Sequence, residues 1–332
     1  MKIIRKISII GDGGWGTTLA VYLAGRGFDV CVWGAFADYI QEIARKRENV
    51  KFLPGIKIPQ SVQCTADLTM AVDFADLIVL ATPSQYLSSV LEKIKLTNYK
   101  KKLYLSVVKG IEVESLKRMS VIIHEHLGNV SVGVLSGPTI ASELAKGIVT
   151  TAVIASNNAT VAAKLQKIFH SEVFRIYTND DVIGVELGGS IKNVIALACG
   201  ICDGLGLGTN AKSAVLTRGL AEMARLGQAM GAKKETFYGL TGLGDLVTTC
   251  VNSSSRNRSV GEAIGQGKDV HKLLKSMSMV AEGVSTSKAV YGLSRKLKVQ
   301  MPICCEVYNV IYRQKKVTAA LESLMKRSFK AE

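Results

Sequence analysis

A lysine stands in the middle of an otherwise apolar, small-residue stretch, Gly188-Gly189-Ser190-Ile191-Lys192-Asn193-Val194-Ile195-Ala196-Leu197-Ala198-Cys199-Gly200. Taking an ammonium out of water is costly unless a partner offsets it. On a helix, the neighbours of Lys192 at i−4, i−3 and i+4 are Gly188, Gly189 and Ala196, all small, which leaves an open floor beside the ammonium. Two readings follow. Either the side chain snorkels to a domain surface, or it is placed to exchange a proton with a substrate oxygen.

A second group of residues points to a phosphorylated ligand. Gly11-x-Gly13-x-x-Gly16 follows the β-rich run Lys6–Ile10 and opens a helical stretch. The first glycine suits a tight turn, the second lets backbone approach a pyrophosphate, and the third lets helix and sheet pack closely. The helix start then offers unpaired N–H groups to the anion. In such a unit an acidic residue at the end of the second strand often binds the ribose 2′-hydroxyl. Here that strand ends at Trp33 and Ala35 stands in the expected place; Asp29 comes too early and Asp38 too late. Side chains therefore leave NAD and NADP open.

Three further segments carry polar chemistry. The segment 241–258 gathers glycines, Asp245, the serines 253–255 and Arg256-Asn257-Arg258 before an expected helix; its hydroxyls, amide and guanidinium groups are parts that grip a phosphate or merely cap a polar loop. Lys109 lies just beyond the carboxyl end of a strand, the edge where open α/β sheets bind ligands. Gly137-Pro138-Thr139 ends the next strand in the same way. Each of these reads equally as a ligand contact or as an ordinary solvated turn.

The elements that must position these residues change character once along the chain. Strands are expected at 6–10, 29–33, 76–82, 102–108, 130–135, 150–155 and 173–178, mostly continuous apolar runs separated by helical stretches such as 16–24 and 115–127. That alternation predicts an α/β, doubly wound and mostly parallel sheet with both faces covered. Beyond Asn179 only helical spacing remains: a long helix with Leu187, Ile191, Ile195 and Ala198 on one side, then 211–230, 285–297 and 302–313, the last opened by Pro302. Two domains are expected, a dinucleotide-binding one over 1–179 and an all-α one over 180–332.

Composition narrows the function further. Lys and Arg number 42 against 27 Asp and Glu, a net charge of +15. The cations are spread out, aromatic residues make up only 6%, and no nucleic-acid-binding signature appears, so the charge suits small anionic substrates and no nucleic acid is expected. No apolar run approaches the ~18 residues that span a bilayer, and the basic start leads into a strand, which points to the cytoplasm and not to an integral membrane protein. Seven cysteines without an export signal read as thiols. Cys199 and Cys202 have redox- or zinc-like spacing, but no second pair and no nearby His completes a metal site, so ordinary small-residue packing and no metal are expected.

Taken together, "GDGGWGTTLA", "FLPG", "ATPSQ", "VVKGIE", "SGPTIASELA", "GVELGGSIKNVIALACG", "GLGDLVTTC", "SSSRNR", "VAEG" and "MPICCEVY" resemble, in order and over almost the whole chain, the soluble NAD(P)-dependent glycerol-3-phosphate dehydrogenases of bacteria. The resemblance implies reversible hydride transfer between NAD(P)H and dihydroxyacetone phosphate, giving sn-glycerol 3-phosphate for glycerophospholipid synthesis, by a homodimer. It implies catalytic roles for Lys192, Lys109 and Asp245. Substrate contacts are implied for Lys109, Gly137, Thr139, Lys192, Asp245, Ser255, Arg256 and Asn257. Cofactor contacts are implied for Gly11, Gly13, Gly14, Trp15, Gly16, Lys109, Ala141, Arg256, Val280 and Glu282. The loop departs from the family's usual pattern at Asp12 and Gly14, where Ala and Ser are common, and Ala35 replaces a His or Arg near the adenosine. An anionic Asp12 beside a pyrophosphate must point away or be offset by a cation.

Overall fold

The computed structural model describes residues 3–276 and 280–328, and the chain divides into two compact units. The first comprises residues up to 109 together with Met119–Val182. Its strands are β1 (Lys6–Ile10), β2 (Asp29–Trp33), β3 (Glu48–Asn49), β4 (Leu53–Lys57), β5 (Gln63–Thr65), β6 (Leu77–Leu80), β7 (Leu103–Ser106), β8 (Ser131–Ser136), β9 (Thr150–Ala155) and β10 (Phe174–Asn179). Its helices are α1 (Gly14–Gly25), α2 (Ala37–Lys46), α3 (Leu68–Phe74), α4 (Leu87–Ile94), α5 (Met119–Leu127), α6 (Ala141–Ala145) and α7 (Ala159–Phe169).

Eight strands form one sheet in the order β10-β9-β8-β7-β6-β1-β2-β5; β3 and β4 make a separate antiparallel hairpin. All neighbours in the sheet are parallel except β8 and β9. The mostly parallel, doubly wound sheet expected from the sequence is thus present. The antiparallel pairing of β8 with β9 is an addition to that reading, as are the edge strand β5 and the small hairpin, which are too short or too polar to show a strand period. Alternation along the strands explains the burial. Ile7, Ile9, Val30, Val32, Leu77 and Val79 enter one core, while Ile10, Cys31, Trp33, Ile78 and Leu80 enter the other. Each such aliphatic side chain contributes at most about 1.5–3 kcal/mol. Strand order reverses beside β1, which pairs with both β2 and β6, so its carboxyl end opens onto the place where α/β sheets take ligands.

The second unit comprises Gly110–Arg118 and Ile183 onward. Its helices are α8 (Val182–Gly204, starting at the boundary), α9 (Gly208–Ala229), α10 (Asp245–Val251), α11 (Arg256–Gly265), α12 (Val270–Ser276), α13 (Glu282–Lys296), α14 (Pro302–Tyr312) and α15 (Val317–Met325). This is the helical half expected from the sequence. Pro302 does open α14, whose next N–H groups, on Ile303 and Cys304, donate to the buried carboxylate of Glu222 at 2.7 and 3.1 Å. By length and composition α8 passes the test for a membrane span, contrary to the sequence expectation, yet 94% of that stretch is buried inside the protein. It is the core helix of this unit. Its C-terminal half meets α11 backbone to backbone: an added Cβ on Gly200 would lie 2.0 Å from the Arg258 carbonyl oxygen, and one on Gly261 would lie 2.1 Å from that of Leu197.

The segment Gly110–Arg118 is fastened to α8 by polar groups. Ser190 donates to the Gly110 carbonyl at 3.1 Å, and Arg118 pairs with buried Glu186.

Candidate active site

In the first unit the glycine loop is shaped as its spacing suggests. Gly11 has φ +128°, and an added Cβ would lie 2.6 Å from the Ala81 carbonyl oxygen. At Gly16 it would lie 2.2 Å from the Gly11 carbonyl oxygen, so α1 packs hard on the loop. Gly13 is different: nothing lies within 4 Å of the place its Cβ would take. It caps α1 without a side-chain hydrogen bond, and the first turn of α1 holds no acidic residue. The space beside Gly13 at this helix start is thus open, whereas at Gly14 an added Cβ would lie 2.6 Å from the Phe52 carbonyl oxygen; an open helix start of this kind suits a pyrophosphate.

Unpartnered polar atoms gather at the same sheet edge. The hydroxyls of Thr82, Ser106 and Ser136, at or just past the carboxyl ends of β6, β7 and β8, are buried without hydrogen bonds, as is Trp15 Nε1. Buried polar groups seldom stay unpaired, so this edge fits a polar ligand such as a dinucleotide. Ala141 opens α6, and its carbonyl accepts from the Thr18 hydroxyl at 3.0 Å, which ties α6 to α1. Lys109 Nζ donates to the Gly137 carbonyl at 2.9 Å and to Thr139 Oγ1 at 3.2 Å. Lys109, Gly137 and Thr139, far apart in sequence, thus form one cluster.

In the second unit Lys192 is buried, at 6% exposure, and does not snorkel. Its ammonium donates to Asp245 Oδ1 at 2.8 Å and to the Thr249 hydroxyl. Asp245 is 2% exposed and sits at the start of α10, directly after a single π turn, Leu240–Gly244. Such turns often occur where a side chain is re-aimed for function. Thr249, one helical turn past Asp245, also donates to the Asp245 carbonyl at 2.7 Å. The sequence reading overlooked it; the signal was its i+4 spacing from Asp245.

The open floor expected beside Lys192 is not open at Gly188. An added Cβ there would lie 2.6 Å from the Thr241 carbonyl oxygen, because the π turn packs its own backbone into that space. The small residue serves a close protein contact.

Ser255 caps α11 by accepting the Arg258 N–H at 3.4 Å, and Arg256 donates to the Val280 carbonyl at 3.0 Å. Asn257 is buried; its amide donates to Asn193 Oδ1 at 2.9 Å and its oxygen accepts the Gly283 N–H at 2.9 Å. It joins α8, α11 and the start of α13, beside Glu282. Arg258 pairs with Asp203, whose carboxyl is held below its usual value: Lys212 and Arg258 together outweigh burial, the largest single influence and an opposing one. Among the described residues no group of three or more His, Cys, Asp or Glu side chains could hold a metal ion.

A dinucleotide cradle at the end of β1 and a buried, hydrogen-bonded ammonium in a helical unit define a two-domain, nicotinamide-dependent dehydrogenase. Family models described as the N-terminus and C-terminus of NAD-dependent glycerol-3-phosphate dehydrogenase match residues 6–162 and 181–322, and the chain belongs to that family. It is 48% identical to a glycerol-3-phosphate dehydrogenase [NAD(P)+] of Prosthecochloris aestuarii over 329 residues, covering 98% of this chain and 99% of the relative. Among solved structures, glycerol-3-phosphate dehydrogenase of Coxiella burnetii is similar with TM-score 0.94 at 36% identity, over 97% of this chain and 99% of that one. Glycerol-3-phosphate dehydrogenase of Saccharomyces cerevisiae is similar with TM-score 0.81 at 30% identity, over 97% and 99%.

Proposed function

We propose that the chain reduces dihydroxyacetone phosphate to sn-glycerol 3-phosphate with NAD(P)H, reversibly, with Lys192 as the proton donor. The observation that carries this reading is the buried ammonium of Lys192, aimed by Asp245 and Thr249. A bound reduced nicotinamide supplies the hydride that adds to the ketone carbon. As it adds, negative charge grows on the ketone oxygen. Lys192 stabilises that charge and gives the oxygen its proton, so the carbonyl becomes an alcohol. Asp245 and Thr249 hold the ammonium in one geometry.

Gly11, Gly13, Gly14, Trp15 and Gly16 hold the cofactor's pyrophosphate side, with Ala141, Val280 and Glu282 as further contacts. Lys109 and Arg256 touch cofactor and substrate; Gly137, Thr139, Ser255 and Asn257 complete the substrate's surroundings. The phosphate lies away from the reacting carbon, so Arg256 supplies binding energy at a distance from the chemistry. At saturating NADH, Arg256→Ala should lower kcat/KM for dihydroxyacetone phosphate by about tenfold or more, a much larger loss than for unphosphorylated dihydroxyacetone. Equal losses on both substrates, read from NADH oxidation, would remove the phosphate from Arg256. The product feeds glycerophospholipid synthesis. The enzyme works in the cytoplasm as a homodimer, and a monomer mass in light scattering would refute the latter.

A further inference from the structure

Asp12 is the residue of the glycine loop that pyrophosphate binding leaves unexplained. Its position is built from both sides. The Gly11 N–H donates to the carbonyl of Trp33, the last residue of β2, at 3.0 Å, so the loop is tied to the end of that strand. On the other side Asn49, fully buried, donates to the Asp12 carbonyl and to Thr17 Oγ1, each at 2.7 Å, while the Tyr39 hydroxyl donates to Asn49 Oδ1 at 2.5 Å.

This places the Asp12 carboxyl against Gly34, the residue after β2. An added Cβ on Gly34 would lie 2.6 Å from Asp12 Oδ2 and 3.0 Å from the Ile40 Cβ. Oδ2 is buried and accepts no hydrogen bond. Lys51 acts on the carboxyl through its field, with its ammonium over the rings of Tyr39 and Phe52. Three facts therefore coincide. The end of β2 carries no acidic side chain; the glycine there leaves room for one from elsewhere; and the loop delivers into that room a carboxyl whose Oδ2 has no hydrogen-bond partner. In a sheet of this kind the end of the second strand is where a carboxylate meets the adenosine ribose.

We propose that Asp12 is the residue that reads the adenosine ribose in this enzyme, accepting from the 2′-hydroxyl and repelling a 2′-phosphate, so that NADH is selected over NADPH. The selection works by charge as well as by hydrogen bonding: a 2′-phosphate would bring a dianion to a half-buried carboxylate, whereas a hydroxyl gives its Oδ2 the donor that atom lacks. Lys51, its ammonium over the rings of Tyr39 and Phe52, tempers that repulsion. The proposal rests on the dinucleotide reading given above.

The test is calorimetric titration of the full chain with ADP-ribose and with 2′-phospho-ADP-ribose, for wild type, Asp12→Asn and Asp12→Ala. The asparagine variant keeps the shape of the side chain, so a folding defect does not confuse the result. Wild type is expected to prefer the unphosphorylated fragment by about tenfold or more, the worth of one unfavourable charge contact. Both variants should shrink that ratio by about tenfold, mainly through tighter binding of the phosphorylated fragment. A wild type that binds the two fragments equally, or a ratio that ignores residue 12, overturns the assignment. Should NADH still bind and support reduction of dihydroxyacetone phosphate in that case, only the assignment to Asp12 falls. Failure of both fragments and of NADH to bind wild type would bring down the dinucleotide reading beneath it as well.

Discussion

At Gly13 an added Cβ would meet nothing within 4 Å, whereas at Gly188 it would lie 2.6 Å from the Thr241 carbonyl oxygen. Both glycines stand within four residues of groups assigned to chemistry, and in the sequence they look alike. One leaves the space beside its backbone open; the other lets the protein's own backbone come close, next to the pair of Asp245 and Lys192. A glycine near a reactive residue thus reports close approach without saying by what. The carboxylates beside the two glycines differ in a parallel way. Asp245 has an ammonium at 2.8 Å, while Asp12 Oδ2 has no hydrogen bond at all.

The largest expected effect comes from breaking the paired side. Lys192→Ala should lower kcat by roughly 10²–10³, the usual loss when one positioned donor to a developing oxyanion is removed. It also takes the ammonium away from a carboxylate at 2% exposure, and breaking a buried pair in this way costs roughly 3–5 kcal/mol of stability in urea denaturation. The double variant Lys192→Met with Asp245→Leu removes both charges and should recover much of the stability while turnover stays lost. Near-wild-type turnover in either variant would detach the ammonium from the reaction.

A matched pair of glycine substitutions sharpens the contrast itself. Gly188→Ala should destabilise the protein by about 1–3 kcal/mol, because the Thr241 backbone cannot yield as a flexible side chain could. Gly13→Ala, at φ −67°, carries no such penalty, so its melting temperature should match wild type. Its cost should appear in NADH affinity instead, by about tenfold, as the new methyl group stands in the pyrophosphate's path. If Gly13→Ala unfolds the protein and Gly188→Ala spares it, the roles of the two glycines are reversed.

Much of this was legible in the sequence for a physical reason. Val30, Val32, Leu77 and Val79 form continuous apolar runs because both faces of a parallel sheet are covered, and continuous runs are easy to see. The two polar clusters were legible in their members, since Lys109, Thr139, Lys192 and Asp245 are unusual residues for their surroundings. Their partners were not. Lys192 and Asp245 are 53 positions apart, and no periodicity links them. Thr249 and Asn49 were passed over because a threonine in a helix and an asparagine in a polar run have many ordinary uses. The excursion of Gly110–Arg118 into the second unit was hidden for the same reason: its anchors, Ser190 and Glu186, lie some 70–80 residues away.

The smallest effect tests the unpaired side. Burial pushes the Asp12 carboxyl above its ordinary value of 3.8, against the pull of its own backbone N–H and of Lys51. A carboxyl that binds its proton more tightly when folded favours the fold below that ordinary value, and the benefit is lost as the pH rises through the raised one. At neutral pH the wild type therefore carries the cost of an ionised, unpaired oxygen, which Asp12→Asn does not. The variant should melt about 2 °C higher at pH 7, on the order of 1 kcal/mol, and the gap should close as the pH falls through the raised value towards 3.8. Saturating ADP-ribose should narrow the same gap at neutral pH, because the ribose hydroxyl supplies the wild-type carboxylate with the donor it lacks. A gap that is unchanged across the pH range would mean that the carboxylate is already satisfied, and the contrast with Asp245 would then vanish.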